Sequence, residues 1–244
     1  MDSANDRADG SRRPGAGMFV GEASRGYSRP PTSQEAVLRE IRRAIMAREL
    51  KPGERVRQEK LAGRLNVSRV PVREALKVLE AEGQVTYQPH RGYTVVALSS
   101  EELEEIYLIR RLLETEATRR AVPRVDAELI ERLEALMGQM EELVEAGDVL
   151  RYAEANRDFH LVLFERAGLP RLYHMIEVLW RISEAYRGAI FDYTWSKRAQ
   201  KYHRAIIVAC KAGDVAGTIA AQDEHRSDAI ASITTFLKGS GPRP

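Results

Sequence analysis

The spacing of apolar side chains divides the chain into a first part of short helices and β-prone runs and a second part that is helical throughout. Between residues 32 and 50 apolar side chains recur at helical spacing, at Val37, Ile41, Ile45 and Met46. This pattern predicts a helix that stops at the Lys-Pro-Gly turn of residues 51–53. A shorter second helix is predicted over Gln58–Leu65.

A third helix is predicted to begin at Ser68, a favourable N-cap residue, with Pro71 in its first turn. Apolar side chains at i, i+4 and i+7 form one face, and basic side chains four residues apart form another. The apolar face consists of Val72, Leu76 and Leu79, and the basic face of Arg69, Arg73 and Lys77. An apolar back and a basic front suit a helix that packs on a protein core and lies in the DNA major groove.

Two β-prone runs follow the third helix, which Gly83 is predicted to end. The runs cover residues 85–87 and 93–96, and the turn between them contains His90, Arg91 and Gly92. Three helices followed by a strand, a basic turn and a strand form a winged helix-turn-helix. We therefore predict a DNA-binding module with a two-stranded wing.

The remainder of the chain is predicted to be an all-helical bundle. From Ser100 onward the period is helical, with breaks at residues 122–123, 146–148, 167–170 and 212–214, which gives about six helices and no strand. The predicted fold is mainly α. We expect a disordered leader at residues 1–32, the winged domain at 33–97, a helical effector-binding and dimerisation domain at 98–238, and a flexible tail at 239–244.

Charge is distributed unevenly along the 244 residues, although the net charge is only +2. Residues 33–97 carry 13 basic and 8 acidic side chains, a net of +5, whereas residues 98–244 carry 20 and 24, a net of −4. Only the first part is therefore expected to bind a polyanion. The apolar runs are too short for a membrane span or a signal peptide, and Cys210 is the only cysteine, so a cytoplasmic protein is expected.

Several short motifs together resemble the DNA-binding domain of the GntR family of bacterial transcription regulators. They are LKPGE at 50–54, LA at 61–62, VSR at 67–69, PVREAL at 71–76, LEAEG at 79–83 and RGYTV at 91–95. The resemblance implies a homodimer that binds a palindromic operator, with guanine contacts from Arg69 and Arg73, which can each donate two hydrogen bonds to that base. The implied DNA-binding residues are Ser68, Arg69, Val70, Pro71, Arg73, Lys77, His90, Arg91 and Gly92.

Two positions depart from that family's pattern. Glu59 stands where the family often has a base-contacting Arg, and Gln84 replaces an apolar residue after Gly83. Glu59 would repel phosphate, which leaves Arg57 as a possible substitute. The alternative for the basic face is that Arg73 only pairs with an acid such as Glu74 on a solvated helix.

The helical part is similar to the FadR-type C-terminal domain of the same family. Asn156 and His160 lie four residues apart, and His203 and His225 follow in later helices. The resemblance implies that these four residues bind a divalent metal, with Zn²⁺ favoured and Ni²⁺ or a related ion possible. It also implies a small carboxylate effector, with Arg110 as its counter-charge. Asn156 is a departure, since Asp is the commoner first ligand.

Other interpretations remain open from the sequence. The four polar residues can line a metal-free pocket that takes an acyl chain or acyl-coenzyme A, and Arg110 can be a plain salt-bridge partner. A metal without any effector role is a third possibility, and a three-His metal hydrolase is a remote fourth. The absence of an evident general base argues against the enzyme, so we expect a regulator without catalytic residues.

Overall fold

The computed structural model describes residues 31–187 and 193–239. The leader predicted over residues 1–32 and the tail predicted over residues 239–244 fall almost entirely outside these residues. The N-terminal part contains three helices and a two-stranded antiparallel wing in which Val85 pairs with Val95. Its elements are α1 (Ser33–Met46), α2 (Gln58–Leu65), α3 (Arg69–Ala81), β1 (Val85–Gln88) and β2 (Gly92–Val95).

The winged domain has its own apolar core, formed where α1 and α3 pack together. The largest contributions come from side chains that are almost completely buried, such as Ile41, Leu76 and Leu79. α1 ends at Met46, earlier than the sequence predicted, because the chain turns away at Arg48, which has a positive φ of 57°. The Arg48 N–H donates to the Ile45 carbonyl and so closes the last turn of α1.

The C-terminal part is helical throughout its described residues, as predicted. Its helices are α4 (Ser100–Ala121), α5 (Ala127–Glu145), α6 (Val149–Glu165), α7 (Pro170–Arg187), α8 (Tyr193–Lys211) and α9 (Val215–Gly239), with a 3₁₀ turn at Val122–Arg124. Ser99 is the N-cap of α4, and its hydroxyl accepts from the Glu102 N–H in a capping box. In the described part of the chain, no helix is long and apolar enough to cross a membrane.

Helix α7 connects the two parts. The Tyr186 hydroxyl donates to the Val96 carbonyl at 3.0 Å and accepts from the Leu98 N–H. Arg181 lies 3.5 Å from Glu82, at the C-terminal end of α3. Gly83 has a φ of +69°, and a Cβ there would lie 2.9 Å from the Ile182 side chain. The glycine therefore ends α3, as predicted, and also allows α7 to approach closely.

Candidate functional site

Helix α3 has the two faces that the sequence predicted. Its apolar side is fully buried, with Val72, Ala75, Leu76 and Leu79 all at 0% exposure. The other side is open to solvent, and Arg69, Val70, Arg73 and Lys77 are all exposed, as is Ser68 just before the helix. Pro71 lies half-buried in the first turn. Ser68 occupies the N-cap position, but its side chain makes no capping hydrogen bond.

Acidic side chains accompany the bases on this exposed face. Arg69 forms an ion pair with Glu59 of α2 at 2.9 Å. Glu74 lies 3.5 Å from Arg73 and 3.1 Å from Lys77, and the hydrogen bond from Lys77 lowers the pKa of its carboxyl below the ordinary value. All these groups are solvent-exposed or nearly so, and such pairs are weak enough for a phosphate or a base to replace them.

The wing places a second basic element beside the start of α3. His90 has a φ of 63° and Gly92 a φ of 79°, so the tip turns tightly, and both His90 and Arg91 are exposed. The Arg55 guanidinium lies 3.7 Å from the position a Gly92 Cβ would take. A cavity of about 600 Å³ opens there, lined by Arg55, Val56, Arg57, Gln58, Glu59, Arg69 and Gly92. Arg55 was missed by sequence analysis because it precedes α2 in a stretch without periodicity.

The predicted metal residues, which lie far apart in the sequence, meet inside the helical domain. Asn156 and His160 come from α6, His203 from α8 and His225 from α9, and all four are buried. The ligand atoms of His160, His203 and His225 lie within 4.8 Å of one another. Among the described residues this set can hold a metal ion. Neutral imidazoles are the donors that Zn²⁺ and similar ions prefer.

The hydrogen-bond partners of His203 test whether these residues fit a cation. The His203 Nε2 lies 3.0 Å from the Asn156 Oδ1, and the Nδ1 lies 3.3 Å from the Gln200 Oε1. A neutral imidazole has one N–H, and when the Nδ1–H donates to Gln200 the Nε2 lone pair is left for a cation beside the Asn156 Oδ1.

A divalent cation suits this arrangement. The Asn156 Oδ1 and the His203 Nε2 lie 3.0 Å apart, and both are atom types that could bind such an ion. The His203 Nδ1–H then donates to Gln200, the arrangement by which an outer residue fixes the orientation of a metal-bound imidazole. The donor set therefore fits a divalent cation. Sequence analysis missed Gln200, although it lies three residues before His203 on the same helix.

Arg110, the predicted counter-charge of the effector, points inward and already has partners. Its Nε donates to Glu114 at 2.9 Å and its Nη1 donates to the Ser183 hydroxyl at 3.0 Å. The guanidinium also lies 3.9 Å from the centre of the Trp180 ring. The neighbouring Arg111 is 63% exposed, compared with 3% for Arg110. Arg110 is therefore part of a buried network and not an isolated counter-charge.

A second buried arginine, Arg226, completes this network and was not predicted. Its Nη1 donates to the second Glu114 oxygen at 2.8 Å, and its Nη2 donates to Asp223 at 3.0 Å. Burial would raise the pKa of Glu114, but Arg110 and Arg226 outweigh burial and lower it. The sequence signal that could have identified Arg226 was its position directly after the predicted ligand His225.

The network and the histidines line one cavity. Its walls are Tyr107, Arg110, Glu114, His160, Trp180, Gln222, His225, Arg226 and Ala229. The cavity volume is about 20 Å³, which is little more than one water molecule occupies. Any larger ligand must therefore displace part of the wall when it binds.

Comparison with known proteins matches both parts of the chain. Residues 33–95 match the model of the bacterial regulatory proteins of the gntR family. Residues 105–228, about half of the chain, match the FCD domain.

Individual relatives are transcription regulators. The chain is 35% identical over 131 residues to the HTH-type transcriptional regulator McbR of Escherichia coli K12, an alignment that covers 54% of this chain and 59% of that protein. It is 33% identical over 126 residues to an uncharacterized HTH-type transcriptional regulator of Agrobacterium vitis, which covers 50% of this chain and 74% of that protein. The solved structure of E. coli McbR/YncC has a TM-score of 0.73 at 26% identity, covering 85% of this chain and all of that one.

Proposed function

Because the chain belongs to the GntR family of bacterial transcription regulators and carries an FCD domain, we propose that it is a ligand-responsive regulator with a metal-dependent effector site. The operator is palindromic and the protein binds it as a homodimer. The effector is a small carboxylate. One observation carries the proposal: three buried imidazoles from three helices converge beside two buried arginines, in a domain that contacts the recognition module.

The DNA contacts follow from the exposed face of α3 and the wing. Arg69 and Arg73 would contact guanine in the major groove, and Ser68, Val70, Pro71 and Lys77 would lie at the groove edge or near phosphate. His90, Arg91 and Gly92 form the wing tip beside the minor groove. Glu59 pairs with Arg69 in the free protein. DNA binding must break this pair, which releases Arg69 for the base.

His160, His203 and His225, with Asn156 as a fourth ligand, would hold the metal, for which Zn²⁺ is the first choice. When bound, the ion supplies positive charge and open coordination positions for an anionic ligand. Asn156 is neutral, so the protein ligands do not reduce that charge. This favours an anion over a neutral effector.

The arginine network adds further positive charge next to the histidines. Arg110 and Arg226 share the single carboxylate of Glu114, and the second partner of Arg226, Asp223, is only partly buried. A carboxylate that enters the cavity would bind between these cations and the histidines. Charge-assisted hydrogen bonds from a guanidinium are well suited to this group.

The charged lining of the histidine cavity argues against the acyl-binding alternative. Its walls include the charged side chains of Arg110, Glu114 and Arg226, whereas an acyl chain requires an apolar lining. A separate cavity of about 740 Å³ lies between α5 and α8 and does not include the histidines. The residues that line this cavity are Glu141, Glu142, Val144, Glu145, Lys197, Gln200, Lys201 and Arg204.

Helix α7 provides a physical connection between effector and DNA. On one side Trp180 lines the effector cavity, and both Trp180 and Ser183 contact Arg110. On the other side Arg181 and Tyr186 contact the winged domain. Because the cavity is nearly filled, an effector must move its wall, and a shift of α7 would change the position of the winged domain. The effector then binds the protein with different affinity before and after this shift of α7. Such a difference in affinity is what coupling between effector and DNA requires.

The proposal is tested by elemental analysis of tag-free protein, followed by thermal shift with acetate, malonate and citrate before and after chelation. We expect near-stoichiometric metal in the wild type and a carboxylate-induced stabilisation that chelation removes. His203→Ala should lose the metal and this response while still binding DNA in the apo state. His174→Ala is the matched control, because His174 lies on α7 but is exposed to solvent.

The outcomes separate the alternatives. Metal without a carboxylate response would mean that the ion is structural and that the effector proposal is wrong. No metal together with a chelator-insensitive carboxylate response would reject the metal but retain the arginine site.

A further inference from the structure

Val70 is an aliphatic side chain on the otherwise polar, solvent-facing side of α3. It is 58% exposed and does not belong to the apolar core of the winged domain. Tyr87 of the wing is exposed to a similar extent, but its ring packs against that of Tyr93, with 5.0 Å between the ring centres. A single exposed valine is common on protein surfaces, so exposure alone assigns no function. The position of Val70 on the helix is what distinguishes it.

Val70 points more directly away from the core than the residues beside it in the first turn. The four fully buried side chains of α3 are Val72, Ala75, Leu76 and Leu79. At about 100° per residue, Val70 lies about 170° around the helix from the mean direction of these four. Arg69 and Pro71 lie only about 70° and 90° from it. The centre of the exposed face in the first turn is therefore aliphatic.

The first turn of a recognition helix is the part that contacts base edges in the major groove. A side chain that points straight away from the core at this end faces the floor of the groove. Valine neither donates nor accepts hydrogen bonds, so Val70 cannot bind a phosphate or a polar base edge through its side chain. The apolar group that base pairs present in the major groove is the C5-methyl of thymine. The chemistry of Val70 therefore fits one base.

We propose that Val70 contacts the C5-methyl of a thymine in each operator half-site. This inference rests on the proposed function, and it gives Val70 a base contact in place of a position at the groove edge. Arg73 follows three residues later, so the two Cβ atoms lie about 5–6 Å apart on the helix surface. Successive bases of one strand are about 3.4 Å apart. The thymine therefore lies one or two base pairs from the guanine that Arg73 would contact.

The size of the effect follows from the apolar surface that DNA binding would bury. The residues three and four positions after Val70 are the charged Arg73 and Glu74, so the neighbouring turn of α3 offers no aliphatic partner. A methyl group on the DNA would supply that partner. Burial of one hydrocarbon group of this size changes an affinity by about four-fold at 25 °C. We therefore expect each contact to contribute about three- to ten-fold.

The test begins with selection of duplexes from a random DNA library by the full-length chain. Each thymine of the selected half-site is then replaced, one at a time, by deoxyuridine, which lacks only the methyl group. Fluorescence anisotropy measures the affinity for each duplex. At one position, within two base pairs of a guanine, the replacement should weaken binding by about three- to ten-fold.

Val70→Ser tests whether Val70 is the residue that contacts this methyl group. The substitution removes both methyl groups of an exposed side chain, so the fold should be retained, which circular dichroism checks. The variant should bind the thymine duplex about three- to ten-fold more weakly than the wild type. It should also bind the thymine and deoxyuridine duplexes equally, because the two changes remove the same contact.

Lys77→Ala is the matched control, because Lys77 is exposed on the same side of α3 but lies two turns further along the helix. Loss of a phosphate contact should weaken binding to both duplexes by the same factor. It should also reduce the slope of log affinity against log salt concentration by about 1. Val70→Ser should leave that slope unchanged, since a methyl contact releases no counterion.

The outcomes distinguish this inference from the proposed function. If the library yields a sequence whose binding depends on Arg73 but tolerates deoxyuridine at every thymine, the operator proposal stands and the inference is overturned. A methyl preference that Val70→Ser retains would also overturn it, because another residue or the DNA shape would then be responsible. If no sequence is selected, the proposed operator binding fails, and the inference fails with it.

Discussion

Replacement of Glu114 by Gln changes a buried carboxylate into an amide of nearly the same size. Glu114 is 4% exposed and accepts from Arg110 at 2.9 Å, from Arg226 at 2.8 Å and from the Trp180 indole N–H at 2.7 Å. The substitution leaves two buried guanidinium groups without their shared anion. Asp223 compensates Arg226 in part.

The magnitude follows from the cost of an uncompensated buried charge. Removal of one partner from a buried ion pair costs about 3–5 kcal/mol. We expect the lower end of this range, about 3 kcal/mol, because Asp223 remains close to Arg226. Glu116→Gln is the matched control, since Glu116 lies on the same helix and pairs with Arg120 at 2.6 Å but is 42% exposed. Loss of the exposed Glu116–Arg120 pair should lower the free energy of unfolding by less than about 1 kcal/mol.

Urea unfolding of the chelated protein measures both variants. The two tryptophans of the chain, Trp180 and Trp195, lie in the helical domain, so their fluorescence reports on the domain that contains Glu114. With an m-value of about 3 kcal/mol/M, the midpoint for Glu114→Gln should fall by about 1 M. A loss no larger than that of the Glu116→Gln control would refute the interpretation of the network as a charge-balanced site.

The destabilisation caused by Glu114→Gln should also depend on pH. The folded-state pKa of Glu114 lies below the ordinary value, so its contribution to stability is complete above the unfolded-state pKa of about 4.3. It is lost as the pH falls through the lower folded-state pKa. The difference in unfolding free energy between the wild type and Glu114→Gln should therefore be constant near neutral pH and decrease in acid.

Three further substitutions test the site assignments. Arg69→Ala should abolish sequence-specific operator binding in fluorescence anisotropy while the dimer remains intact in sedimentation, and normal operator binding would contradict the recognition-helix assignment. Glu59→Gln should raise operator affinity by about two- to five-fold, because the exposed pair with Arg69 no longer has to be broken; an unchanged affinity would exclude that competition. Gln200→Leu should weaken Co²⁺ binding, followed by its visible absorption, by about 10- to 100-fold through loss of the hydrogen bond to His203, whereas wild-type affinity would show that Gln200 does not orient the ring.

Much of the fold was predictable because its signals are local. The three helices and the wing of the first domain follow from periodicity and from Gly83, whose positive φ ends α3. The faces of α3 follow from side chains three and four residues apart, which share a helix surface in any fold. Asn156 and His160 were likewise recognisable as neighbours, since they lie one turn apart on α6.

The sequence by itself therefore determined the order of the elements, the amphipathic recognition helix and the types of ligand residue. Tertiary structure alone decided which helices meet. The Asn156–His203 contact spans 47 residues, and the Glu114–Arg226 contact spans 112. Periodicity predicts that a helix face is buried but not what it is buried against. The second arginine and the role of α7 between the two domains follow from packing over these distances, whereas Arg110 and Glu114 lie only four residues apart on α4.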